Sequence, residues 1–361
     1  MRPPSVTPTG PTARVGDIRA AHSLIKDLFT PRPIRYWTDL VLSGSFAWAI
    51  SLAAAIEPMP PAITVGFLLV AAGFWYRAAA LIHELTHQRR DEIPGFHLAW
   101  NLFIGVPWLL PSITYEGVHQ AHHKKTTYGT DRDPEYLMLA GRPLAILGYL
   151  LQSVVYFPAA LLRFLVGSPL SWVIPPLRRF LCRSASSYVI NVGYERTMTT
   201  ADRRQLFRWE CVVLLVWGVP ILLTLNGDLP CRWLACWYVM YTLVLLVNRV
   251  RMLTAHRFAS EGVPTDHLGQ FRDSIDTPTG WWAELWAPIG MRYHALHHLF
   301  PTLPYHNLGI AYRRLAATLP RSSFYHESTG PGLVGSLAEL VRGDTLASKG
   351  QRSESGGVCP G

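Results

Sequence analysis

Eight of the 14 histidines fall in three tight groups. They read His83-Glu84-Leu85-Thr86-His87, His119-Gln120-Ala121-His122-His123 and His294-Ala295-Leu296-His297-His298. On a helix, positions i, i+3 and i+4 share one face. Each group can therefore aim two or three imidazoles at one point. Imidazole suits iron, copper, nickel and zinc. Eight such donors are too many for one tetrahedral or octahedral ion, and they suit two.

Three other chemistries would use parts of the same set. His83-Glu84-x-x-His87 is also the pattern of a zinc metalloprotease, with Glu84 as general base on a metal-bound water. That reading leaves most of the clustered histidines idle. Glu84-x-x-His87 and Glu116-x-x-His119 match the Glu-x-x-His pairs of soluble di-iron carboxylate bundles, again with six histidines unused. A metal transporter needs polar groups inside its spans, and the spans described below hold almost none. Glu84 and Glu116 fit better as acceptors that orient imidazole N–H groups. Asp131 and Asp133 could do the same, or cap a helix. His267 and His306 lack a clustered partner and are read, with His22, His97 and His326, as surface or supporting groups.

The elements that must carry these groups are apolar. Of 361 residues, 49% are hydrophobic and only 16% charged, and mean hydropathy is +0.16. A soluble domain carries about 25% charge, so a disordered or strongly solvated chain is excluded. Uncharged runs long enough to cross a bilayer, about 20 residues, occupy 40–56, 58–82 (interrupted by Arg77), 211–227 and 233–248. Short links at 57–61 and 228–232 join them into two helical hairpins. Two further apolar stretches, 97–115 and 143–162, contain internal prolines. They are read as helices at the membrane surface or packed within the protein. Parity supports this, because the histidine groups can meet only if an even number of spans separates them.

Net charge is +9, from 33 Lys and Arg against 24 Asp and Glu. The cations lie in loops between apolar runs, without the aromatic-interleaved basic stripes of a nucleic-acid binder. The two short links contain only Arg232. Lys and Arg mark cytoplasmic segments, which places both termini and all three histidine groups on the cytoplasmic side of a bacterial inner membrane. Residues 1–35 are expected to be a flexible arm and 36–320 the membrane unit. Residues 321–361 form a C-terminal segment, disordered after about 343. The five cysteines show no paired spacing that would indicate a disulfide framework or zinc knuckle. No haem segment or iron–sulfur run indicates a fused electron donor.

With the three boxes set around two pairs of spans, residues 35–320 resemble the integral-membrane fatty acid desaturase/hydroxylase superfamily. Leu299-Phe300-Pro301 after the third box, and the run from Asp131 to Glu135 after the second, resemble its bacterial lipid-desaturase branch. The resemblance implies an all-α, polytopic fold with four transmembrane helices in two hairpins and a cytosolic helical cap. It implies two ferrous ions, O2 as co-substrate, a lipid or fatty acyl substrate, and electrons from an external donor such as a ferredoxin with its reductase. The implied ligands are His83, His87, His119, His122, His123, His294, His297 and His298, with His256 as the ninth. One branch has an Asn four residues before that ninth histidine; here Met252 stands there, and no such role is carried over. The activity expected first is desaturation of a fatty acyl lipid. The alternative is hydroxylation or ketolation of a lipid, carotenoid or hydrocarbon by the same centre. Trp281, Trp282 and Trp286 are expected in the headgroup belt.

Overall fold

The computed structural model describes residues 11–260, 262–278 and 280–344. In chain order the helices are α1 Pro11–Ile25, α2 Pro33–Ile56, α3 Pro61–Ala80, α4 Ile82–His87, α5 Phe96–Trp100, α6 Ile113–His122, α7 Pro143–Leu161, α8 Ser168–Val173, α9 Pro175–Ser184, α10 Thr200–Leu225, α11 Arg232–Leu253, α12 His267–Asp273, α13 Ala283–Trp286, α14 His294–Leu299, α15 Tyr305–Thr318 and α16 Leu333–Arg342. Among the described residues there is no sheet, only isolated bridges such as His256 with Ser274. The starts of the long helices follow from local chemistry. Proline opens α2, α3 and α7, where its missing N–H is one that no helix uses. Thr199 and Asp202 form a reciprocal capping box at the start of α10.

α2 with α3, and α10 with α11, form the two expected hairpins. The Arg232 guanidinium donates to the Ala54 carbonyl at 2.6 Å and to that of Glu57. Both short links therefore meet at one end of the bundle. α3 runs on into α4, which carries the first histidine box to the opposite end. Leu42, Leu69, Leu151, Leu215 and Leu222 are all more than half exposed, as the outer surface of an integral membrane protein requires.

Between α5 and α6 the chain leaves regular α-helix through a π-turn, Asn101–Gly105. Gly105 permits the bend: a Cβ there would sit 2.7 Å from the Trp100 ring and 2.9 Å from the Leu110 carbonyl oxygen. Irregular backbone in an apolar surround needs internal partners, and indole N–H groups supply them. Trp48 donates to the Phe103 carbonyl at 3.0 Å, Trp217 to Val106 at 3.2 Å and Trp237 to Pro107 at 3.2 Å. This apolar stretch is thus packed within the protein, among α2, α10 and α11.

The sequence predicts four spans, but among the described residues five segments are long and apolar enough to cross a membrane; the additional one is Pro143–Val173. Pro158 does not break this helix, which continues through a π-turn, Leu162–Gly167, into α8. The charges of this segment and of the following α9 are neutralised internally. Arg163 and Arg178 both reach the fully buried Glu210 of α10, at 2.8 and 2.6 Å. The excursion leaves from and returns to the end that bears the histidines. At its start, Arg249 donates to the Tyr149 carbonyl at 2.7 Å. After α9, the Tyr188 N–H meets the Thr114 carbonyl at 2.8 Å, and Arg196 donates to that of Ile113 at 2.6 Å.

Within the expected N-terminal arm, α1 packs beside α15. Ala21 and Ile25 are fully buried and Arg314 donates to the Leu24 carbonyl at 3.0 Å. The disorder expected after 343 falls on 345–361, outside the described residues. Trp281 and Trp282 are exposed, whereas Trp286 is buried and its carbonyl accepts from the Tyr76 hydroxyl.

Candidate metal centre

The three boxes arrive from α4, α6 and α14, with His256 just beyond the end of α11. Their imidazoles converge as two clusters. His83, His87, His119 and His297 form one, and His122, His256, His294 and His298 the other; within each, one ring nitrogen per residue lies within 4.8 Å of the others. His123 stands between them. Its Nε2 is 3.1 Å from that of His119 and 3.0 Å from that of His297, and its ring packs 4.5 Å from His298. All nine nominated histidines are thus brought together.

Carboxylates and hydroxyls fix the far nitrogens of several rings. His119 Nδ1 lies 2.6 Å from Glu135, and His122 Nδ1 lies 2.9 and 3.0 Å from the two oxygens of Asp133. His256 Nδ1 is 3.0 Å from the Tyr128 hydroxyl, which itself donates to Asp273 at 2.8 Å. A ring that donates from Nδ1 presents a bare lone pair at Nε2. The Nε2 atoms of His256 and His294 nevertheless approach to 2.8 Å, and those of His294 and His298 to 3.2 Å. Facing lone pairs at that separation repel unless a cation lies between them. Two nitrogens about 2.1 Å from one ion, at right angles, sit about 3 Å apart. The donor set therefore fits metal.

Electrostatics agree. Burial first, then neighbouring imidazoles, holds His119, His123, His294, His297 and His298 well below the usual imidazole range. Burial likewise holds His256 well down, aided by His122 and Arg251. Neutral imidazole is the ligating form. Burial also opposes protonation of His122, but the charge and hydrogen bond of Asp133 outweigh it and raise this one ring. Burial raises Glu135 and Asp273.

The acidic groups expected to orient imidazoles fare differently. Glu84 Oε2 accepts from the Tyr36 hydroxyl at 2.8 Å and the Tyr305 N–H at 3.2 Å, while its Oε1 lies 3.6 Å from His83 Nδ1. Glu116 faces away from His119 and engages His97 at 2.7 Å and Arg90 at 3.3 Å. Asp133 does orient a box histidine, while Asp131 is exposed. Outside the centre, His306 accepts the Arg32 N–H at 3.1 Å and His22 packs on Phe29. Sequence reasoning assigns no role to Glu135, Tyr128, Asp273 or Asp276.

Beneath the clusters lies a cavity of about 90 Å³, walled by His83, His119 and His294 at one end and by Trp108, Tyr241 and Val244 deeper in the bundle. A second apolar cavity of about 360 Å³, along α7, shares Leu110, Tyr188 and Tyr241 with the first.

A bundle of apolar helices capped by two abutting sets of buried imidazoles defines a membrane-embedded di-metal protein. The chain belongs to the fatty acid desaturase family, whose model matches residues 58–330. It is also similar to a ceramide hydroxylase of Caulobacter vibrioides, with 39% identity over 333 residues, covering 90% of this chain and 93% of the relative. It is a desaturase-family di-iron oxidoreductase.

Proposed function

We propose that this chain is an O2-dependent lipid hydroxylase that places a hydroxyl group on a ceramide-like lipid. The observation that carries this reading is the full-length similarity to a ceramide hydroxylase. Desaturation, expected first from the residues flanking the boxes, would use the same centre and is the second reading. The zinc protease reading needs only three ligands and leaves most of the converging imidazoles without a role.

His83, His87, His119 and His297 would hold one iron and His122, His256, His294 and His298 the other, with His123 between the sets. The metal pair supplies O2 activation and attack on an unactivated C–H bond. The balance is RH + O2 + 2 e⁻ + 2 H⁺ → ROH + H2O. The chain's own residues prepare this chemistry. Glu135, Asp133 and Tyr128 keep the ring protons at Nδ1, so Nε2 stays available. Trp108, Tyr241 and Val244 make a dry wall for an alkyl chain. Electrons come from an external donor, for which a basic cytoplasmic face suits an acidic protein. The excursion 143–196 begins and ends beside the metal centre, which supports a topology with the three boxes on one side, and the Lys and Arg bias makes that side the cytoplasmic one.

Lipid mass spectrometry of a host with and without the gene tests the reaction. Gain of one oxygen atom by ceramide supports hydroxylation; loss of two hydrogens would install desaturation instead. Purified protein should hold two irons per chain. A single zinc would sink the reading.

A further inference from the structure

Two arginines on the last turns of α11 border the inner cavity, and their surroundings differ. Arg249 is tied to α7: it donates to the Tyr149 carbonyl and to Gln152, and lies over the Tyr149 ring at 4.4 Å. Arg251 is only 7% exposed, yet among the described residues no carboxylate pairs with it. Its hydrogen bond to Asn248, at 2.9 Å, stays on its own helix, and the Tyr76 hydroxyl faces it. Its Nε–H, like that of Arg249, is buried without an acceptor, but Arg249 has the Tyr149 carbonyl and Gln152 of another helix and Arg251 has no such tie. A guanidinium buried this way is costly unless something completes its hydrogen bonds.

Position gives the missing partner its chemistry. Arg251 and Asn248 line the cavity together with His83, His119 and His294. Tyr241, ten residues earlier on the same helix, marks the apolar depth, about 15 Å away at helical rise. The cavity is thus polar beside the metal centre and apolar away from it.

We propose that Arg251, with Asn248, is the polar anchor of the substrate, donating to a carbonyl or hydroxyl oxygen at the lipid's polar end. The carbon offered to the metals then lies close to that end, while the alkyl chain runs toward Trp108 and Tyr241. This deepens the lipid-hydroxylase reading and rests on it. It names an oxygen-bearing lipid over a plain hydrocarbon and oxidation near the head group over oxidation in mid-chain.

The test uses iron-loaded protein in detergent. Ceramide is titrated without O2, with binding read from tryptophan fluorescence, then turned over in air with the product's hydroxyl located by fragmentation. Arg251→Met should keep its iron but raise the ceramide Kd and KM about 10- to 100-fold, and scatter the hydroxyl along the chain. Arg251→Lys should recover part of the affinity. An alkane of equal length should bind wild type and Arg251→Met alike. Wild-type Kd and hydroxyl position in iron-replete Arg251→Met would overturn the anchor. If that variant does not fold, wild-type affinity in both Arg251→Lys and Asn248→Leu does so. Should the wild type oxidise no ceramide, the hydroxylase reading fails on that result, and the anaerobic titrations still decide the anchor.

Discussion

Asp133 holds the Nδ1 of His122 with both carboxylate oxygens, at 2.9 and 3.0 Å, and both groups are fully buried. The same carboxylate accepts the Gly129 and Glu135 N–H groups at 2.8 and 2.9 Å. One side chain therefore folds the loop after the second box and aims a ligand. Removing such a partner costs about 10- to 100-fold in metal affinity. Asp133→Asn should release iron to a chelator that the wild type resists, with the loss confined to one of two ions. Equal retention of both would dismiss Asp133 from the centre.

Asp276 plays the matching part for the third box. It accepts the Leu296 N–H at 3.1 Å, near the start of α14, and receives the Ser328 hydroxyl at 3.3 Å. Burial pushes its carboxyl up to about 7. Loss of a capping acceptor costs about 1–2 kcal/mol. Asp276→Ala should lower the free energy of chemical unfolding by that amount and reduce iron content. Unchanged stability would mean that α14 is held by packing alone.

The inner cavity sets a limit on the alkyl chain. Val244→Trp fills its apolar wall and should cut turnover of long-chain substrates at least tenfold while short-chain ones lose less; iron content should not change. An equal loss at every chain length would place the alkyl chain elsewhere.

The metal-free protein should weaken in acid. Burial keeps His119, His123, His256, His294, His297 and His298 well below the ordinary imidazole range. As pH falls through about 6.5, the unfolded chain takes up protons there that the folded chain refuses, so folding stability drops. His122 and the buried carboxyls of Asp276, Glu135 and Asp273, all shifted upward, work the opposite way and offset part of the loss from these six imidazoles. Thermal midpoints at about pH 7.5 and about pH 5.5 should differ in favour of the higher pH; a higher midpoint in acid would contradict the buried, neutral cluster.

Topology can be read by thiol labelling. Cys231 is exposed in the link between α10 and α11, and Val192 is exposed on the returning segment after α9. An impermeant reagent should label Cys231 from outside the cell and Val192→Cys only after the membrane is opened. Labelling of Val192→Cys from outside, with Cys231 protected until the membrane is opened, would mean that the excursion crosses.

How far the sequence reaches can be judged residue by residue. Imidazole spacing at i, i+3 and i+4 is a local property, so the three boxes, and the two-ion arithmetic, are legible in the chain. The two hairpins are legible as well, because a span is a contiguous run of uncharged residues. The partners of the ligands are not local. His256 meets His294, His119 meets Glu135 and Leu296 meets Asp276 only after distant segments pack, and Glu116, which looked equally suited to a box histidine, turns to His97. The segment 143–173 shows the same limit. Its composition signals a span, but the pairing of Arg163 and Arg178 with Glu210, and the return of Tyr188 to Thr114, depend on contacts that no linear pattern encodes. Local spacing determined which atoms could bind metal. Tertiary packing decided which of them share an ion, because a shared ion requires donors from distant segments to lie within a few ångströms.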